Sequence, residues 1–151
     1  MLRYTSYDIV FQEVPDEVTL AINISNCPNR CEGCHSPHLQ EDTGEELTEN
    51  ALSALLEKYG NAVTCICFMG GDNSPEDVLS LAKFAKQLHK KTAWYSGNSN
   101  FYNNAQKYFD YIKLGAYIKE LGGLNSPATN QRFYRIENET IIDITEQFYK
   151  K

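Results

Sequence analysis

The chain lacks any hydrophobic run that could span a bilayer: nothing in its 151 residues approaches ~18 consecutive apolar positions. No membrane segment is therefore expected. It also lacks an excess of positive charge. Lys and Arg number 14 against 20 Asp and Glu, a formal net charge of −6, so no sequence-independent footprint for nucleic acid is expected. The opening residues MLRYTSYDIVFQEVPDEV contain no apolar core of a signal peptide, and the expected location is the cytoplasm. No low-complexity stretch or linker divides the sequence, which implies one domain over residues 1–151. What is present is a 42% hydrophobic content, enough for a core, and five cysteines, an odd number. Three of them fall in CPNRCEGCHSPH, from Cys27 to His38. Clustered, odd-numbered cysteines without an export signal point to thiols with a metal or catalytic use and away from a disulfide framework.

Along the chain, strand and helix patterns alternate. Val18, Leu20, Ile22 and Ile24 alternate with Thr19, Ala21, Asn23 and Ser25, a strand with two unlike faces, and the cysteine loop follows at once. Leu52, Leu55, Leu56 and Tyr59 recur at helical spacing between a Thr48 cap and a Gly60 stop. AVTCICFM, Ala62 to Met69, is the near-continuous apolar run of a strand covered on both faces. Ser74 at the cap position, Pro75 and two acids open a helix with Val78, Leu81, Ala82, Ala85 and Leu88 as its stripe. TAWYSG (Thr92 to Gly97), a helix around Ala105 and YIKLG (Tyr111 to Gly115) continue the alternation, and RFYRI with TIIDI flanking ENE reads as a hairpin. This pattern implies an α/β fold with a parallel βαβ sheet. A full eight-stranded barrel takes about 200 residues or more, so an open or partial β/α barrel with a C-terminal hairpin is expected. Ligands of such sheets sit at the carboxyl ends of the strands. Three unusual segments fall on that edge: the cysteine loop, GGD after the second strand and SG after the third.

Cys27, Cys31 and Cys34 are spaced CxxxCxxC. Thiolates suit zinc, copper(I) or iron–sulfur clusters. Structural zinc takes four protein ligands, and His35 or His38 could complete a Cys3His site. A cubane cluster takes one ligand per iron, so three cysteines would leave one iron with an open position. On spacing alone both readings stand, with the cluster ahead.

CxxxCxxC after the first strand resembles the signature of the radical S-adenosylmethionine superfamily. MGGD, Met69 to Asp72, resembles its GGE segment with Asp in place of Glu. Within the superfamily, the CxGC ending with Gly33, and the stretch DYIKLGAYIKELGGLNSPATNQRFYRI from Asp110 to Ile136, resemble the activating proteins of anaerobic ribonucleoside-triphosphate reductase. The resemblance covers about Ile22 to Ile136. It implies a radical-SAM type partial barrel whose Cys27, Cys31 and Cys34 hold a 4Fe-4S cluster. The fourth iron is then chelated by S-adenosylmethionine, which one electron cleaves to methionine and a 5′-deoxyadenosyl radical. In this subgroup the radical takes hydrogen from a glycine of the reductase, leaving a stored glycyl radical. The implied partners are that glycyl radical subunit and a flavodoxin-like or other low-potential electron donor. By motif, Gly33, Cys34 and His35 lie where the loop backbone meets the adenosine. Gly70, Gly71 and Asp72 match the segment that receives the methionyl amino group, a sensible pairing of carboxylate and ammonium. Ser96 and Gly97 fall near the expected ribose or carboxylate.

Simpler readings apply elsewhere. Cys65 and Cys67 share one face of a buried strand and read as core thiols. His38 reads as a loop residue, His89 as a favourable charge at a helix end, and Trp94 and Tyr95 as core. The tyrosines at 95, 102, 108, 111 and 117 form either a partner-facing patch or, by preference, buried structure. GDNSPED can be a plain acidic helix start, and Asn130, Gln131 and Arg132 have no role from sequence. Three functions compete: the reductase activase, another radical enzyme of the superfamily (a formate-lyase-type activase or a small-molecule enzyme), and a zinc-bound interaction module.

Overall fold

The alternating segment after Val18 forms a strand, β2, at Thr19–Ile24. The structure, a computed structural model, describes residues 2–11, 13–24 and 45–148. Around β2 the described residues build an eight-stranded sheet from β1 (Arg3–Val10), β2, β3 (Glu45–Glu46), β4 (Cys65–Met69), β5 (Lys91–Tyr95), β6 (Tyr111–Leu114), β7 (Arg132–Glu137) and β8 (Thr140–Asp143). Its order is β3-β1-β2-β4-β5-β6-β7-β8. Strands β2, β4, β5 and β6 are parallel, and β1, β3, β7 and β8 extend the sheet with antiparallel pairs. The sequence reading assigned no strand to RYTSYDIV, which forms β1 and lies along β2 from Tyr4 opposite Ile24 to Val10 opposite Thr19.

Two helices carry the crossovers. The first, α1 (Glu49–Tyr59), starts as expected: Thr48 Oγ1 accepts a hydrogen bond from the Ala51 N–H at 3.1 Å. It stops at Gly60, whose φ of 56° takes the chain out of the helix. The second, α2 (Pro75–Gln87), has Pro75 in its first turn with Glu76 and Asp77 facing the dipole's positive end. Ser74 caps it differently from the expectation. Its side chain makes no cap bond, and its carbonyl instead accepts from Asp77 and Val78. His89 also departs from the reading: it lies beyond the helix with φ 63°, a left-handed turn residue. The stripe ends one turn early too, since Leu88 is exposed. The expected helix near Ala105 is one 3-10 turn, Ala105–Lys107.

Because the parallel strands follow one another in space as in sequence, the crossovers never reverse direction. Right-handed crossovers then place every helix on one face. The packing agrees: Leu52, Leu55 and Leu56 of α1 and Val78, Leu81, Ala82 and Ala85 of α2 share one core with Leu20, Ile22, Ile66, Phe68, Trp94 and Ile112. The alternate residues Cys65, Cys67, Ala93 and Tyr111 form a second core on the opposite face with Phe133, Val14 and Ile144. The tyrosines divide accordingly: Tyr102 and Tyr108 pack on the helix side, and Tyr95 and Tyr111 on the other. Among the described residues no helix is long and apolar enough to cross a membrane.

Candidate functional site

The register sets the carboxyl edge. Asn23, Met69, Tyr95 and Lys113 are consecutive partners across β2, β4, β5 and β6, one residue from the end of each strand except β4 and β5, which finish there. Ile24 ends β2 and delivers the chain to the cysteine loop. Cys27, Cys31 and Cys34, with Gly33, His35 and His38, lie outside the described residues. Their approach is described: the next strand's exit is pressed against Ile24. A Cβ on Gly70 would stand 3.2 Å from the Ile24 carbonyl oxygen, and one on Gly71 only 2.6 Å from Val78 Cγ2. Both glycines are also left-handed, with φ 104° and 90°. A side chain at either position is refused by backbone and contact alike.

Asp72 is brought to Ser96 and Gly97. The Ser96 hydroxyl donates to Asp72 Oδ1 at 2.6 Å and the Gly97 N–H to Oδ2 at 2.9 Å. Asn98 Nδ2 reaches Oδ1 at 3.4 Å, and the Asn98 N–H donates to Ser96 Oγ at 3.1 Å. The exits of β4 and β5 are joined again where Trp94 Nε1 donates to the Gly70 carbonyl at 2.8 Å and the Gly70 N–H to the Tyr95 carbonyl at 3.0 Å. Beyond them the Ser96 N–H bonds the Lys113 carbonyl at 2.9 Å and the Gly115 N–H the Asn98 carbonyl at 2.8 Å. The GGD and SG segments, separate in sequence, thus form one hydrogen-bonded ledge.

Sequence reasoning assigned no role at three places. Lys113 is buried on the face away from the helices; its ammonium donates to the Gly115 carbonyl at 3.0 Å and lies 5.5 Å from the Tyr95 ring centroid. Its place in a period-two strand beside the edge was the available signal. Asn98 closes the ledge. Finally, Thr129, Asn130 and Gln131 fasten the segment after β6. Gln131 Nε2 donates to the Gly115 carbonyl at 3.2 Å, Asn130 Nδ2 to that of Ala116 at 3.0 Å, and Thr129 Oγ1 to that of Gly122 at 3.1 Å. Arg132 then pairs with Asp143 of β8 at 2.8 Å, locking the hairpin.

Cys65 and Cys67 are fully buried, as the core reading has it. Burial pushes both thiols well up, with Glu17 adding to the effect at Cys65. The Cys67 thiol donates to Met69 Sδ at 3.5 Å. Among the described residues no three His, Cys, Asp or Glu are grouped to hold a metal ion. The three cysteines that the CxxxCxxC resemblance names as cluster ligands, Cys27, Cys31 and Cys34, lie outside the described residues.

Residues 18–118 match the family model described as a 4Fe-4S single cluster domain. Comparison with curated proteins and with solved structures returned no match.

Proposed function

On the premise that the chain belongs to the 4Fe-4S single cluster domain family, we propose that it is a radical S-adenosylmethionine enzyme on an open, partial β/α barrel. We read it further as the activase that leaves a glycyl radical on an anaerobic ribonucleoside-triphosphate reductase. Family membership supports a 4Fe-4S cluster as cofactor and favours it over zinc. The observation that carries the finer reading is the ledge of Gly70–Asp72 and Ser96–Gly97, standing against the strand end that delivers the three-cysteine loop. One-directional winding with helices on a single face supports the barrel relationship.

Cys27, Cys31 and Cys34 would hold the cluster, which when bound supplies the electron for cleaving S-adenosylmethionine. The chain's own residues bind and orient. By the resemblance, Gly33, Cys34 and His35 would lie near the adenosine, the Gly70–Asp72 segment would take the amino-acid end, and Ser96 and Gly97 would border the ribose or carboxylate. Hydrogen abstraction needs the donor glycine at near-attack distance, roughly 3–3.5 Å between reacting atoms. A loop of the reductase must therefore reach the carboxyl edge. The Asp110–Ile136 segment, held by Thr129, Asn130 and Gln131, offers it a fixed rim. In this reading the electron comes from a flavodoxin-like or other low-potential donor, and the site of action is the cytoplasm.

Anaerobic reconstitution should give about four irons and four sulfides per chain. Adding reductant, S-adenosylmethionine and the reductase should produce a glycyl-radical signal by electron paramagnetic resonance, absent with Cys31→Ala. One tight zinc without acid-labile sulfide would overturn the cluster. Efficient turnover of a small molecule without the glycyl signal would overturn the activase.

A further inference from the structure

We propose that Asp72 is a positioning residue: its carboxylate clasps the exit of β5 and, through Ser96 and Gly97, fixes the backbone that the ligand meets. It does not itself receive the ligand's ammonium. The proposal rests on the S-adenosylmethionine reading above and narrows it. Three donors from one short loop converge on this carboxylate: Ser96 Oγ at 2.6 Å, the Gly97 N–H at 2.9 Å and Asn98 Nδ2 at 3.4 Å. A carboxylate offers about four lone-pair sites, so this loop takes most of them.

The direction of the side chain is set by its neighbours. Gly70 and Gly71 turn the chain through two left-handed positions, at φ 104° and 90°. The Ser74 N–H then closes the turn on the Gly71 carbonyl at 3.0 Å. The clasped loop is held from its other side by the Lys113 carbonyl and the Gly115 N–H. Ser96 is only 3% exposed, and its hydroxyl both donates to Asp72 and accepts from the Asn98 N–H. Without the carboxylate, the Gly97 N–H and the Ser96 hydroxyl lose their acceptor, and Gly97 has no side chain to restrict its backbone. Asp72 thus acts on the ligand site through residues 96–98.

The test uses the reconstituted full chain under anaerobic conditions, with Asp72→Ala, Ser96→Ala and the double variant. Hydrogen exchange of the Gly97 amide reads the clasp directly and should quicken about tenfold or more in Asp72→Ala. Unchanged protection would overturn the clasp. S-adenosylmethionine affinity should fall about tenfold in each single variant, at parental iron content, and the double variant should be little weaker than Asp72→Ala alone. Additive losses, or a Ser96→Ala affinity equal to the parent's, would mean that Asp72 meets the ligand itself and would overturn the positioning role. If the parent binds no S-adenosylmethionine, the enzymatic reading fails, and Gly97 exchange alone then decides the clasp.

Discussion

The two faces of the parallel strands are made of the same four- to six-residue stretches and opposite chemistry. Towards the helices, Leu20, Ile22, Ile66, Phe68 and Trp94 present large apolar groups, and the Trp94 ring stacks on Phe109 with centroids 5.5 Å apart. Away from them, Ala21, Cys65, Cys67 and Ala93 present small ones, followed at the carboxyl edge by Asn23, Met69, Tyr95 and Lys113. Alternation lets one strand serve both purposes. Bulk on the helix side supplies burial free energy. The smaller side chains on the other pack against Tyr111 and Phe133, and the carboxyl edge there carries Asn23, Tyr95 and Lys113 beside Met69.

The sharpest way to break this contrast is to remove bulk from the helix side. Phe68→Ala, at a fully buried ring edge-on to Phe109, should cost about 3–5 kcal/mol in anaerobic chemical denaturation. Cys67→Ala, its neighbour in sequence on the other face, should cost well below that and leave the iron and sulfide content unchanged. Gly71→Ala comes next. It demands a left-handed alanine and a 2.6 Å approach to Val78, and about 2–3 kcal/mol of destabilisation is expected.

A smaller effect distinguishes the faces by pH. In the folded chain burial holds the Cys65 and Cys67 protons, whereas unfolded thiols release theirs near the ordinary value of 9.0. Above that pH the unfolded state binds fewer protons than the folded one. The stabilisation is therefore complete below about pH 9 and is lost as pH rises. Tyr111 adds to the decline at higher pH, burial having pushed its phenol from 10.0 up to about 12. Replacing both cysteines by Ala should flatten the fall seen in denaturation curves taken from pH 8 to pH 10, while Phe68→Ala should lower stability without changing the slope.

Much of the architecture was legible. Thr48, Gly60, Pro75 and the apolar stripes declare both helices, because capping and periodicity are local. The strands of AVTCICFM and TAWYSG follow from their β-rich runs. RYTSYDIV, rich in β-formers, becomes a strand only by pairing with β2, which lies after an intervening turn. His89 stands two residues beyond the helix end, where a left-handed turn replaces the last expected turn.

The chain by itself determined that three thiols follow a strand, that glycines and an acid follow the next, and that a serine and glycine follow the third. These are matters of residue type and spacing. Only the tertiary structure decided what they do to one another. Gly70 and Gly71 are required by Ile24, across the sheet, and by Val78 in α2. Asp72 turns to Ser96 and Gly97 across the β4–β5 seam. Asn130 and Gln131, mute in sequence, tie their segment back to residues 115 and 116. Parallel pairing sets these contacts. It brings strand exits separated by a whole helix to within hydrogen-bond reach, and no local periodicity encodes which polar group will find which.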